Sequence, residues 1–209
     1  MIFKSKLMTA MLYSIITISS QAAPFANGGF DDKSFSGEYL ELKAGNEMLS
    51  PWKITKESID IIGTHWKSDQ GNQSLDLVGS SNSTLGEISQ TFDTTPNKKY
   101  LVKFKMSGNP VGGEAVKVID VSVKNSDIDL LHYEYNISEN KTTKEDMKWR
   151  EHSFTFTAQG TSATLVFTGS AKSGARTNFG PALDSVSVTE VKGNGSDCCC
   201  CCCKCCDSK

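Results

Sequence analysis

Hydrophobic and polar positions alternate along most of the chain between residues 23 and 191. In YLVKFKM, Tyr100, Val102, Phe104 and Met106 share one side while Lys103 and Lys105 share the other. That two-residue period belongs to a strand with one wet face. The period recurs in EHSFTFTA, where Phe154 and Phe156 oppose Ser153, Thr155 and Thr157, and again in ATLVF and SLDLVG. In LDSVSV the inward set is Leu183, Val186 and Val188, with an irregularity near Asp184. AVKVIDVSV and LLHYEYN add two further β-rich runs. About ten such runs, punctuated by SGNPVGG, TTPNKK and TGSAKSG, predict an all-β sandwich or jelly roll. SENKTTKEDMKW is polar all round and reads as a loop.

The two ends break this pattern. Lys4 and Lys6 precede the apolar stretch LMTAMLYSIITI and the small residues SSQAA, the layout of a secretory signal cut after Ala22. The stretch is short for a bilayer span, and no second apolar run follows, which predicts a mature chain without a transmembrane segment. The expected organisation is a signal peptide at 1–22, a sandwich domain at 23–191, a linker at 192–197 and a cysteine-rich tail at 198–209. The expected location is outside the cell or at its surface. Five N-x-[ST] sequons begin at Asn72, Asn82, Asn136, Asn140 and Asn194, and are uninformative in a chain so rich in these residues.

At 209 residues the chain is long enough to bury a core without disulfides. Its net charge of −2 and isoelectric point near 5.9 leave no electrostatic footprint for nucleic acid. All eight cysteines stand in the tail: Cys198, Cys199, Cys200, Cys201, Cys202, Cys203, Cys205 and Cys206. Four readings stay open for them. Exposed thiols in an oxidising compartment form disulfides with each other or with neighbours. Dense thiolates suit Cu(I) or Zn, although C-x-x-C spacing is missing. S-acylation needs an enzyme on the side that export leaves behind. A disordered tail also tolerates a functionless run. The first reading is preferred, which makes the tail a device for retention or for disulfide-linked oligomers.

Catalytic signatures are missing: no G-x-S-x-G, H-E-x-x-H or P-loop occurs, and the three histidines, His65, His132 and His152, stand in unrelated contexts. The expectation is a protein that is not an enzyme.

NGGF at 27–30, SPWKITKESIDIIGTHW, GNQSLDLVGSSNSTLGEISQTF, KYLVKFKMSGNP, MKWREHSFTFTA and GPALDSVSV occur in order from about residue 27 to 188. Together they resemble the choice-of-anchor C family, which is similar to the plant cell-wall proteins built from domain of unknown function 642. Both resemble galactose-binding-like sandwiches. The resemblance implies an extracellular, non-catalytic jelly-roll module associated with polysaccharide or cell-wall glycan. In such sandwiches an acid after the opening Phe and a late Asp are similar to ligands of one structural calcium; the matching positions are Asp31 and Asp184. Asp31 stands where Glu is common, which shortens the reach.

A sugar site needs a ring for the apolar face of a pyranose and polar groups for its hydroxyls. Trp52, Trp66, Trp149, Tyr39, Tyr133 and Tyr135 are the available rings. Trp52 and Trp149 read as core. Trp66, following DIIGTH, is the expected platform, with His65 and Asp60 as its polar neighbours. The alternative function is a matrix or coat subunit assembled through protein contacts and tail disulfides.

Overall fold

The computed structural model describes residues 23–80, 84–171 and 178–192. The expected signal peptide and the cysteine tail lie outside the described residues, as does all of the linker but its first residue.

Thirteen strands and no helix occur among the described residues. They are β1 (Tyr39–Lys43), β2 (Lys53–Lys56), β3 (Ser58–Ile62), β4 (Ser74–Asp76), β5 (Val78–Gly79), β6 (Thr84–Leu85) and β7 (Glu87–Asp93), followed by β8 (Lys99–Gly108), β9 (Val116–Lys124), β10 (Leu131–Asn136), β11 (Arg150–Thr157), β12 (Ser162–Ala171) and β13 (Pro181–Glu190). One antiparallel sheet runs β1-β3-β4-β13-β8-β11 and the other β10-β9-β12-β7-β2, with β5 and β6 as a small separate ribbon. The fold is the expected jelly-roll sandwich. None of the described residues forms a helix long and apolar enough to cross a membrane.

The alternation dictates the packing. In β8 the residues Tyr100, Val102, Phe104 and Met106 are buried, while Leu101, Lys103 and Lys105 between them are partly exposed. Phe92, Phe104, Phe156, Phe167 and Trp52 meet between the two sheets with Ile59, Ile61, Leu75 and Leu183. Burial of this set removes apolar surface from water and is the main driving force for closing the sandwich. Trp52 is core as expected; its indole N–H donates to the Asn27 carbonyl at 2.9 Å.

The opening segment does not form a strand beyond one parallel bridge, Ala23 to Phe92. Buried Phe30 anchors it instead, packed 5.8 Å from the Trp52 ring. It also meets β13, where Val186 N–H donates to the Gly28 carbonyl at 2.8 Å. The irregularity expected near Asp184 is a bulge: the register with β8 shifts between Asp184 and Ser187, and Ser185 sits at φ +51°.

Candidate functional site

Along the six-stranded sheet, the residues that point away from the core form a row. Glu41 faces Asp60, Asp60 faces Asp76, Asp76 faces Ala182 and Ala182 faces Ser107. An outer face so placed would ordinarily be wet, yet Asp60, Asp76, Ala182 and Ser107 are all buried. Loops roof it over: Ile62, Trp66, Met147 and Ala182 form a second small apolar cluster there, with Trp149 packed against it.

Where the roof stops, a cavity of about 320 Å³ opens. Tyr39, Asp60 and His65 line it from the β1 and β3 side, and Asn109, Val111 and Phe179 from the loops after β8 and before β13. Tyr39 is 48% exposed and meets the His65 ring edge-on at 5.5 Å. Burial pushes the Asp60 carboxyl up to about 6; hydrogen bonds from the Ser80 N–H and hydroxyl pull it back, and the Glu41 carboxylate adds to the rise. Burial, helped by Lys144, holds His65 below its ordinary value, so its imidazole is neutral at pH 7.

Behind this wall, Asp76 accepts from Asn109 Nδ2 at 2.9 Å, Val78 N at 3.0 Å and Gly180 N at 3.2 Å. Its carboxyl is pushed up to about 7, mainly by burial, with the Asp60 carboxylate also raising it. Asn109 uses its Oδ1 on Val111 N–H, which leaves one amide N–H and one oxygen lone pair to offer a ligand.

The three expected sugar contacts are therefore divided. His65 and Asp60 share this cavity, but Trp66 is 3% exposed and its indole N–H donates to Ser74 Oγ at 2.8 Å. Trp66 is a roof beam rather than an open platform, because the 147–149 segment packs onto it. Its edge reaches a separate cavity of about 680 Å³, beside Phe35 and Gln73. The exposed ring at the candidate site is Tyr39, whose signal in the sequence was its place at the start of an edge strand. Trp149 is half-buried, its indole N–H donating to the Lys67 carbonyl at 3.1 Å.

Asp31 and Asp184 converge on one loop. Asp31 accepts from Asn72 N at 3.1 Å, and Asp184 accepts from Asp69 N at 2.9 Å, Gln70 N at 3.2 Å and Ser185 N at 2.6 Å. Calcium takes six to eight oxygens. Here backbone N–H groups are aimed at the carboxylates, and no set of three or more carboxylate, imidazole or thiol groups is gathered for a metal among the described residues. The residues fit N–H capping, not a calcium shell, and the tie between the chain's ends is made by the 69–72 loop. Burial pushes Asp184 up to about 7, against the pull of its three N–H donors.

The family model for proteins of unknown function DUF642 matches residues 23–189. The chain belongs to the DUF642 family. Halomucin of Haloquadratum walsbyi is 29% identical to this DUF642 protein over 170 residues, 78% of the chain; the chain spans about 2% of that relative's length. Among solved structures, an arabinose-bound α-L-arabinofuranosidase, MgGH51, superposes with a TM-score of 0.52 at 12% identity, over 81% of this chain and 26% of that one. That likeness is one of fold. TmCBM61 in complex with β-1,4-galactotriose gives a TM-score of 0.47 at 16% identity, over 68% and 90% of the two chains. The CBM22-1 xylan-binding domain of Paenibacillus barcinonensis Xyn10C gives 0.45 at 16%, over 77% and 99%.

Proposed function

We propose that this DUF642 protein is an exported, non-catalytic carbohydrate-binding sandwich whose sugar site is the Tyr39 cavity, and whose cysteine tail retains or crosslinks it at the cell surface. The observation that carries the reading is one cavity bounded by a half-exposed ring and by groups with hydrogen-bonding capacity to spare. The Tyr39 face suits the apolar side of a pyranose, and Asp60, Asn109 and His65 suit its hydroxyls. A volume of about 320 Å³ suits one or two sugar rings rather than a long chain.

Geometry also supports the non-catalytic half. Glycoside hydrolysis needs two carboxyl groups flanking the scissile bond. Asp60 is the one carboxyl lining this cavity among the described residues; its neighbour Asp76 is 1% exposed with both oxygens engaged.

The test is binding of the full chain, kept in reductant, to β-1,4-galactotriose, xylan, arabinan and cellulose, beside Tyr39→Ala. Binding to at least one glycan that is lost in Tyr39→Ala supports the proposal. Binding that survives the substitution moves the site elsewhere. No binding by a folded chain shifts the choice to a structural matrix or coat subunit.

A further inference from the structure

Lys117 is a lysine on β9 of the opposite sheet and is 3% exposed. Its stem leaves the five-stranded sheet across the end of β8: a Cβ on Gly108 would stand 2.4 Å from Lys117 Cγ. The ammonium then reaches two carbonyls, Gly112 O and Phe179 O, each at 2.7 Å. These carbonyls belong to the two loops that bring Val111 and Phe179 to the Tyr39 cavity.

Asp76 reaches the same place from the six-stranded sheet. It accepts the Gly180 N–H and the Asn109 side-chain N–H. Gly180 N and Phe179 O are the two ends of one peptide group. A buried cation therefore holds that group by its oxygen and a buried carboxyl holds it by its hydrogen. The Gly180 carbonyl in turn accepts Asn109 N–H at 2.9 Å. The approach demands glycine at 180, where a Cβ would lie 2.2 Å from Asp76 Oδ1. Burial holds the Lys117 ammonium down to about 8, with the Asp76 carboxylate pulling the other way.

We propose that Lys117 and Asp76 are positioning residues of the sugar site: by clamping the peptide group between Phe179 and Gly180 they fix the Phe179 ring and the Asn109 amide where a ligand meets them. Charge-assisted bonds to backbone groups suit this task, because a carbonyl loop held only by water would sample many positions. The inference rests on the carbohydrate reading for its consequence and on the clamp itself for its geometry, and the two are separable by experiment.

Four full-length chains are compared: wild type, Lys117→Met, Lys117→Arg and Gly112→Ala. The probes are whichever of β-1,4-galactotriose, xylan, arabinan or cellulose the wild type binds, by affinity measurement, and amide hydrogen exchange by NMR without ligand. Gly180 lies before β13, outside its ladder, and the hydrogen bond that protects its amide is the one to Asp76. The expected results are a protected Gly180 amide in the wild type and exchange at least about tenfold faster in Lys117→Met, with Val102 and Leu165 unchanged. Binding should weaken about tenfold or more in Lys117→Met and recover in large part in Lys117→Arg, which keeps the donors. Gly112→Ala, whose Cβ would meet the Phe179 ring at 2.9 Å, should weaken binding while leaving Gly180 protected. Wild-type affinity in Lys117→Met overturns the positioning role. An unprotected Gly180 amide in the wild type overturns the clamp without recourse to any variant. If the wild type binds none of the four glycans, the carbohydrate reading fails and Gly180 exchange alone judges the clamp.

Discussion

Tyr39, on the edge strand β1, and Trp66, in the roof, both meet the His65 ring but differ in exposure. Tyr39 is 48% exposed, so truncation removes the face proposed for the sugar and little packing. Tyr39→Ala should weaken glycan binding about tenfold or more while unfolding stability changes by less than about 1 kcal/mol, read by calorimetry and urea denaturation. Trp66 is buried with its N–H engaged, so Trp66→Ala should cost about 3–5 kcal/mol of stability and act on binding only through the fold. Of the residues the sequence pointed to for a sugar, His65 and Asp60 line one cavity, while Trp66 is buried away from it. Periodicity reports which side of a strand a residue takes, but Trp66 follows β3 in a loop, where nothing local reveals that the 147–149 segment will cover it.

The buried carboxyls fix a pH dependence at the same scale. Asp60 is raised to about 6, and Asp76 and Asp184 to about 7, each chiefly by burial. The folded state thus holds these protons more tightly than the unfolded chain, whose carboxyls titrate near 3.8. Their stabilising contribution is fully present below that value and is lost as pH rises through 6 and 7. The melting temperature should therefore be higher at pH 5 than at pH 8, and the difference should shrink in Asp76→Asn. A melting temperature that rises from pH 5 to pH 8 would show that these carboxyls are ionised in the folded protein.

At the level of elements, β13 carries the most. It pairs with both β4 and β8, and its bulge lets Leu183 and Val186 both reach the core while Asp184 turns out to the 69–72 loop. The alternation of LDSVSV already marked the irregularity, because no single register puts Leu183, Val186 and Val188 on one face. The partner of Asp184 was not legible: the loop it caps lies more than a hundred residues earlier, and capping by backbone N–H leaves no side-chain pattern to read. Asp184→Ala leaves three N–H groups to find other acceptors and should cost about 2–4 kcal/mol in urea denaturation at pH 6. With those three donors already satisfying the carboxylate, EDTA should leave the melting temperature unchanged. A clear rise on adding calcium would instead assign the corner to the metal.

For the whole molecule, two sheets closed around an aromatic core make a domain whose described residues include no cysteine: every thiol lies between residues 198 and 206 of the sequence. That separation was plain from composition alone, whereas the strand order was not, since a jelly roll brings β4 beside β13 and β7 beside β12 across long stretches of chain that no local pattern encodes. It also lets the role proposed for the tail be tested apart from the sandwich. Thiols packed this densely, once outside a reducing compartment, exchange readily with neighbours, and a tail joined through a Gly-rich linker can reach them without disturbing the core. The oxidised full chain should therefore run as dithiothreitol-sensitive oligomers on sizing columns, and a chain ending at residue 191 should not, while both melt at the same temperature. Joining modules in this way raises their effective concentration at a surface glycan, so the oligomers should bind an insoluble polysaccharide more tightly than the reduced chain does, with no change at the Tyr39 cavity itself. Equal retention of reduced and oxidised protein on that polysaccharide would separate the tail from the binding function altogether.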